Sequence, residues 1–391
     1  MNVVRKGVWV IMIAVVWQCS CAHAPQRGGA LFETNGEVSR AKSGWTYQAG
    51  SEEEMVYIPF EGVYPNKGGR MQSPWFSLPD TGGRGAYYRL TFKAKTAEHC
   101  YWWLDYRDEN GESIPDCNSE VYVGDEIREY DEVVYVPGAV REVQIAFVSK
   151  GKVEASDIRF TTATAEEAAE WADALYATLP PLKFDAPADA MALLPKTVAA
   201  MKNGTPWRVV MLGNSHMNDT FNSLFMALVE RDFPESRFNV VASVRGRTGC
   251  SYYKLPEPFQ QYIVAQKPDL LIILGRRGSE DVEEVVKMTR EQVGCEMVIM
   301  SNPIGRDWRP TAGGVPWREL KGRRGGMAFD VSPLRECAAK LNVAFWDMTT
   351  PGNDYLAVAG EIDFNRDGVH SNDNGKQIIG RILHRYFLTA K

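Results

Sequence analysis

Three side chains suited to serine-hydrolase chemistry lie at two places in the second half of the chain. Ser215 follows the apolar run 208–212, and Asp367 lies three residues before His370. A serine on a sharp turn between a strand and a helix has its hydroxyl exposed beside backbone N–H groups that can hold an oxyanion. A histidine that a nearby aspartate orients can act as the base for that serine. We therefore predict Ser215 as nucleophile, His370 as base and Asp367 as the residue that orients His370.

The elements around these residues alternate between strands and helices. Continuous apolar runs are typical of parallel strands that are buried on both faces. The pattern predicts strands at 208–212, 238–244, 269–274, 296–300 and 343–347, and helices at 219–232, 279–293, 333–341 and 373–388. This is the pattern of a doubly wound, flavodoxin-like α/β domain, which we place at 206–391. Such domains hold their sites beyond the carboxyl ends of the strands, where Ser215 is expected.

From about residue 207 to the C-terminus, the chain resembles the SGNH (GDSL-type) hydrolase family. The family's G-D-S block matches Gly213-Asn214-Ser215, and its closing D-x-x-H block matches the segment from Asp367 to His370. The resemblance implies a serine esterase that needs no metal or organic cofactor. It also implies an oxyanion hole that contains the backbone N–H groups of Ser215 and Gly249.

Two positions depart from the family's pattern. Asn214 replaces the aspartate of the first block, whose side chain is not part of the triad. In the third block the family has an asparagine donor where this chain has Arg277. An arginine can also donate hydrogen bonds to an oxyanion, so we include Arg277 in the predicted oxyanion hole. Because of the same replacement, the alternative stays open that this domain binds a ligand without catalysing a reaction.

Arginines recur in the loops that follow the predicted strands. Arg245 and Arg247 follow the second strand, Arg276 follows the third and Arg306 follows the fourth. These loops share one rim in a doubly wound fold, so the arginines predict binding of an anionic sugar such as a uronate or a sulfated sugar. The alternative is that they form salt bridges with nearby acids or are simply solvated. Trp308 is a candidate for stacking on a sugar ring, and equally for packing its own loop.

Residues 30–162 have the pattern of an all-β domain. The segment 88–95 alternates apolar and polar residues, and short strand-like runs recur after it. We predict a jelly-roll-like β-sandwich, which in its pattern and aromatic content resembles carbohydrate-binding modules. The alternative is a support domain whose aromatic residues fill its own core. Trp102 and Trp103 are adjacent, so they must point to opposite faces of their strand. Residues 163–205 are predicted to be a helical linker.

The first 24 residues have the pattern of a secretory signal peptide. Arg5 and Lys6 precede the uncharged apolar stretch 7–17, which is too short for a membrane span. The chain is therefore expected to be secreted or periplasmic, with no integral membrane segment after cleavage. Lipid attachment at Cys19 or Cys21 is the less favoured alternative. Export would permit disulfides, and Cys100–Cys117 is a candidate pair.

Composition narrows the function classes. The chain has 391 residues and a formal net charge of −6, which argues against a nucleic-acid binder. The combined expectation is a two-domain exported esterase that removes O-acetyl or other short acyl groups from a polysaccharide, with an anionic polysaccharide as one candidate. Two alternatives remain open: an acyltransferase with the same triad, and a non-catalytic glycan-binding protein with a degenerate SGNH domain. The oligomeric state is also open.

Overall fold

The computed structural model describes most of the chain beyond residue 69 and four short segments before it. The described residues are 30–33, 46–49, 56–57, 63–64, 69–96, 100–114, 120–149, 153–275, 279–302, 330–360, 362, 364–365 and 370–391. The predicted signal peptide, with Cys19 and Cys21, lies outside them. So does Cys117 of the candidate disulfide.

The C-terminal half contains the predicted parallel sheet. Its strands are β13 (Pro206–Gly213), β14 (Arg237–Val244), β15 (Leu270–Gly275), β16 (Glu296–Ser301) and β17 (Ala344–Trp346). All neighbouring strands in it are parallel, and their order is β14-β13-β15-β16-β17. This is the flavodoxin-like order, in which the chain reverses direction across the sheet between the first and third strands. The α/β prediction is confirmed for this half, and the reversal point lies beside β13.

Helices cover both faces of this sheet. They are α1 (Ala165–Tyr176), α2 (Pro195–Asn203), α3 (Ser215–Phe221), α4 (Phe225–Asp232), α5 (Cys250–Tyr253), α6 (Pro256–Phe259), α7 (Ser279–Gln292), α8 (Ser332–Leu341), α9 (Thr349–Val358) and α10 (Asp373–Leu388), with a π-helical turn at Gln260–Val264. Alternate residues of β13 point to opposite sides, because side chains alternate along a strand. Met211 belongs to the hydrophobic cluster that includes α4 and α10, and Leu212 belongs to the cluster that includes α7 and α8.

One predicted helix is wrong in its bounds. The segment predicted as a single helix at 219–232 forms the two helices α3 and α4, and α3 begins four residues earlier. The break falls at Leu224, whose backbone adopts the left-handed conformation with φ 55°. An apolar residue without glycine or proline nearby carries no sequence signal for such a break. Helix α9 and the short helices after β14 were not predicted either.

Before residue 164 the described chain forms antiparallel sheets. The strands are β1 (Phe32–Glu33), β2 (Thr46–Ala49), β3 (Val56–Tyr57), β4 (Val63–Tyr64), β5 (Gly69–Gln72), β6 (Phe76–Ser77), β7 (Ala86–Thr96), β8 (Cys100–Arg107), β9 (Glu120–Val123), β10 (Arg128–Val136), β11 (Glu142–Ser149) and β12 (Val153–Ala163). One sheet has the order β1-β12-β7-β10, and another has the order β2-β5-β11-β8-β9, with β6 also paired to β11. Strands β3 and β4 pair with each other.

Aromatic side chains join the two larger antiparallel sheets. Phe92 of β7 lies 5.9 Å from Trp102 of β8 and 5.4 Å from Phe147 of β11, measured between ring centroids. Trp102 is fully buried, whereas its neighbour Trp103 is half-buried, as the alternation of a strand requires. Tyr87 and Tyr106 are also buried. These aromatic residues fill a core, while the jelly-roll connectivity stays a prediction.

The antiparallel sheet that contains β10 packs directly against the parallel-sheet half. The Tyr135 hydroxyl of β10 accepts a hydrogen bond from the backbone N–H of Val240 at 3.0 Å. Val240 belongs to β14, an edge strand whose backbone would otherwise lack a partner on that side. The Tyr135 ring also contacts Phe221, the last residue of α3, with ring centroids 5.8 Å apart. The helix that begins at Ser215 is thereby supported from the N-terminal half.

A buried carboxyl group lies at the same junction. Glu230 of α4 is 8% exposed, and its nearest charged partner is Arg84, with N and O atoms 3.6 Å apart. Burial raises the pKa of Glu230 to about 7, and the Arg84 guanidinium opposes this shift only in part. Because the pKa is higher in the folded chain, the protonated form favours folding. The contribution of Glu230 to stability is therefore greatest below pH 4.5 and is lost as the pH rises through 7.

Replacing Glu230 with glutamine removes the free-energy cost of burying an ionised carboxylate. We expect Glu230→Gln to be more stable than the wild type at pH 8, by on the order of 3 kcal/mol, with little difference near pH 4. Urea denaturation at the two pH values measures the change. Glu235→Gln, at an exposed glutamate just after α4, is the matched control and should show no such pH dependence. An equal effect of Glu230→Gln at both pH values would contradict the assignment.

Candidate active site

Ser215 lies at the start of α3, directly beyond the carboxyl end of β13. Asn214 caps this helix, since its side-chain Oδ1 accepts the backbone N–H of His216 at 3.0 Å. Ser215 is half-buried. Within the described part of the chain, neither its hydroxyl nor its backbone N–H has a hydrogen-bond partner. The first N–H groups of a helix are left unpaired by the helix itself, so this N–H is available to an anionic oxygen.

The loop after β14 brings Gly249 to the same edge of the sheet. Gly249 precedes α5, and its own N–H binds no acceptor among the described residues. The Asn214 side chain connects the two loops, because its Nδ2 donates to the Thr248 carbonyl at 3.3 Å. An aspartate at position 214 has no N–H to donate there. The asparagine that replaces the aspartate of the G-D-S block therefore makes a contact that an aspartate carboxylate could not make.

Tyr253 of α5 ties this loop to the end of β13. Its hydroxyl accepts the N–H of Arg245 at 2.9 Å and donates to the carbonyl of Gly213. The Arg245 N–H also lies 3.2 Å from the same carbonyl. Burial raises the pKa of Tyr253 well above the usual range of tyrosine, so the hydroxyl keeps its proton for this bond. The turn that leads to Ser215 and the loop that leads to Gly249 are thus joined by hydrogen bonds.

His370 lies beside the N-terminal turn of α3. The ring centroids of His370 and His216 are 6.0 Å apart, and His216 directly follows Ser215. The residue after His370 is bound to α3, because the Ser371 N–H donates to Asp219 Oδ2 at 2.9 Å. No hydrogen bond joins Ser215 to His370 in the described part of the chain, so their catalytic contact stays a prediction. The roles of both residues are likewise predictions.

The two described arginines of the predicted rim differ in their partners. The Arg245 guanidinium lies over the Tyr252 ring, 4.5 Å from its centroid, and also donates to the Tyr252 hydroxyl. Arg247 is exposed, with φ 62°, and no ion pair to a described acid involves either arginine. Asp281 of α7 pairs with Lys254 at 3.0 Å. The salt-bridge alternative therefore has no support at these two positions.

The remaining predicted site residues lie outside the described part of the chain. These are Asp367 of the predicted triad, Arg277 of the predicted oxyanion hole, and Arg276, Arg306 and Trp308 of the predicted substrate site.

Three residues that support the site were not assigned these contacts from sequence: Asn214, Asp219 and Tyr253. Asn214 has a signal, because it is a favoured N-cap residue directly before the helix. Asp219 lies four residues after Ser215, on the same side of a helix, which is a weaker signal. Tyr253 has none, since its partner Gly213 is 40 residues away in the sequence.

Other reactive side chains are poor candidates. Cys250 is buried, and burial raises the pKa of its thiol to about 12, so it remains protonated at neutral pH. His384 is buried on α10 with its Nε2 2.8 Å from Asp232 Oδ2, and burial lowers its pKa to about 4. Among the described residues, no cluster of histidine, cysteine and acidic side chains could hold a metal ion. None of the described helices combines the length and apolar character needed to cross a membrane.

Comparisons with known proteins found similarity among solved structures. No protein-family model matches the chain, and no curated protein matches it. A two-domain esterase active on acetylated mannans is 16% identical, with a TM-score of 0.36, over 51% of this chain and 53% of that protein. A catalytic mutant of an acetylxylan esterase from Geobacillus stearothermophilus is 16% identical, with a TM-score of 0.35, over 46% of this chain and 94% of that protein. A GDSL-like lipase from Parabacteroides merdae is 15% identical, with a TM-score of 0.35, over 48% of this chain and 97% of that protein.

The turn before Ser215 has no room for a side chain at Gly213. A Cβ atom there would lie 2.8 Å from Met217 Cβ and 2.9 Å from Leu274 Cβ, and neither atom can rotate away. We expect Gly213→Ala to lower the free energy of unfolding by about 1–3 kcal/mol and to displace the start of α3. Chemical denaturation measures the first effect. Gly246→Ala, where a Cβ atom meets nothing within 4 Å, is the control. Equal stability of the two variants would contradict this packing.

Proposed function

We propose that the chain is a serine esterase of SGNH type that removes O-acetyl or other short acyl groups from a polysaccharide. The observation that carries the proposal is the position of His370, whose ring lies 6.0 Å from that of His216, the residue next to Ser215. A general base must lie close to the hydroxyl that it deprotonates. The unpaired N–H groups of Ser215 and Gly249 add the donors that acyl transfer requires.

The proposed reaction has two steps. His370 takes the proton of Ser215 while the serine Oγ attacks the ester carbonyl, and the N–H groups of Ser215 and Gly249, with the Arg277 side chain, hold the oxyanion. The C–O bond to the sugar then breaks, and the sugar oxygen takes the proton from His370. In the second step His370 activates water, which attacks the acyl-enzyme and releases the acid and free Ser215. Asp367 orients the imidazole.

The proposed substrate class is an acylated acidic glycan. Arg247 is exposed, makes no ion pair with any described acid, and follows the same strand whose loop leads to Gly249. A guanidinium without an internal partner is available to a carboxylate or sulfate of the substrate. Arg276, Arg306 and Trp308 complete the proposed binding rim.

The antiparallel sheets are proposed to form a jelly-roll-like sandwich that binds glycan. Tyr87, Trp102 and Tyr106 are buried and cannot stack on a sugar. Trp75 is half-buried, with the Arg107 guanidinium 4.0 Å above its ring. Trp103 is half-buried on the opposite face from Trp102, and it is the residue that we propose for stacking on a sugar ring. The protein is proposed to be exported by residues 1–24.

Replacing the nucleophile tests the reaction. We expect Ser215→Ala to lower acetate release from acetylated pectin, and hydrolysis of 4-nitrophenyl acetate, by a factor on the order of 10⁴ to 10⁶. A fluorophosphonate probe should label the wild type and leave Ser215→Ala unlabelled. Ser332→Ala, at an exposed serine that begins α8, is the control and should behave as the wild type. A wild type that neither labels nor releases acetate would contradict the hydrolase and favour a glycan-binding protein. Acetyl transfer to an added glycan would favour an acyltransferase.

Replacing Arg247 tests the substrate class. We expect Arg247→Gln to raise KM for acetylated pectin by about tenfold, the value of one charge-assisted hydrogen bond, and to leave 4-nitrophenyl acetate hydrolysis unchanged. Arg237→Gln changes the net charge equally at the opposite end of β14, and should leave both substrates unchanged. Equal effects of the two variants, or an equal loss with neutral acetylated xylan, would contradict recognition of an anionic sugar.

A further inference from the structure

A buried carboxylate lies one helical turn after the proposed nucleophile. Asp219 is 1% exposed and lies four residues after Ser215 on α3, so both residues are on the same side of the helix. A buried carboxylate is costly unless hydrogen-bond donors satisfy it. One donor is the backbone N–H of Ser371, which lies 2.9 Å from Asp219 Oδ2. The carboxylate is therefore directed at the loop that contains the proposed base.

This contact joins two segments that are 152 residues apart in the sequence. Ser371 directly follows His370, so the bonded N–H belongs to the peptide group next to the proposed base. Two further contacts join the described residues on either side of 366–369: Asn365 and Ser371 form an antiparallel bridge, and the Asn372 N–H donates to the Phe364 carbonyl at 3.1 Å. Neither of these two contacts involves α3, whereas the bond to Asp219 does.

We propose that Asp219 is a positioning residue that acts through the Ser371 N–H to hold the His370 imidazole within reach of Ser215. The inference rests on the proposed function, because it needs His370 to act as base. Proton transfer requires the base within hydrogen-bond distance of the hydroxyl, and a misplacement of 1 Å costs about a hundredfold in rate. Asp219 gives the nucleophile helix a direct attachment to the base, so that the two move together. It does not touch the substrate.

Two substitutions separate this role from that of a general structural residue. Asp219→Ala removes the acceptor, and we expect kcat for 4-nitrophenyl acetate to fall by about 30- to 100-fold, with KM changed less than about threefold. Asp219→Asn keeps an oxygen that can accept the Ser371 N–H, and we expect it to restore kcat to within about fivefold of the wild type. Unchanged kcat in Asp219→Ala, or an equal loss in both variants, would overturn the proposal.

A second measurement does not depend on activity. Backbone hydrogen–deuterium exchange of the peptide that covers 364–372 should accelerate by about tenfold or more in Asp219→Ala, while exchange in β13 and β15 remains as in the wild type. Asp269→Ala is the matched control, since Asp269 Oδ2 accepts the Arg208 N–H at 2.8 Å at the opposite ends of these strands. It should leave exchange in 364–372 and kcat unchanged.

The two measurements distinguish failure of the inference from failure of the proposed function. A wild type without esterase activity contradicts the proposed function, whereas faster exchange at 364–372 in Asp219→Ala still demonstrates the attachment. Unchanged exchange in that peptide overturns the inference even if the wild type is an active esterase. Thermal denaturation of each variant identifies any loss of activity that reflects global unfolding.

Discussion

At Gly213, where the chain passes from β13 into α3, there is no space for a side chain. The other residues of the candidate site are positioned relative to this close contact. Gly213 lies against Met217 and Leu274, which brings the strand end and the helix start within contact distance. The Gly213 carbonyl is bound by Tyr253 and Arg245, and Asn214 binds the Thr248 carbonyl. The loops of the first two strands of the parallel sheet are therefore held together by hydrogen bonds within the chain, an arrangement that would preorganise the donors of the proposed oxyanion hole.

The N-terminal sheets contribute to the same arrangement. Tyr135 binds the backbone of edge strand β14 and packs on Phe221 at the end of α3. Asp173 of α1 lies 2.5 Å from both Arg231 of α4 and Arg381 of α10, so α1 is joined by ion pairs to two helices that cover the parallel sheet. Glu230 is buried at this junction, and its titration makes the stability of the packed junction depend on pH. The helix of the proposed nucleophile is thus supported by the N-terminal half as well as by the parallel sheet.

The elements were predictable where the sequence pattern is local and continuous. Strand β14 was predicted at 238–244 and is found at Arg237–Val244, because an apolar run bounded by polar residues determines a buried strand. The single helix at 219–232 was wrong, because Leu224 is apolar and buried like its helical neighbours, and its backbone conformation has no signature in side-chain type. Strand alternation predicted that Trp102 and Trp103 point to opposite faces, but the structure decided that Trp102 lies in the core and Trp103 is half-buried.

The sequence by itself determined that Ser215 lies at a strand-to-helix turn and that the C-terminal half is a parallel α/β domain. These properties depend on neighbours within a few residues. Only the tertiary structure decided that Asp219 binds the peptide after His370, that Asn214 bridges to Thr248, and that Arg247 has no described acidic partner. Such contacts join residues separated by tens to more than a hundred positions. They depend on how the elements pack, which no local pattern of residues encodes.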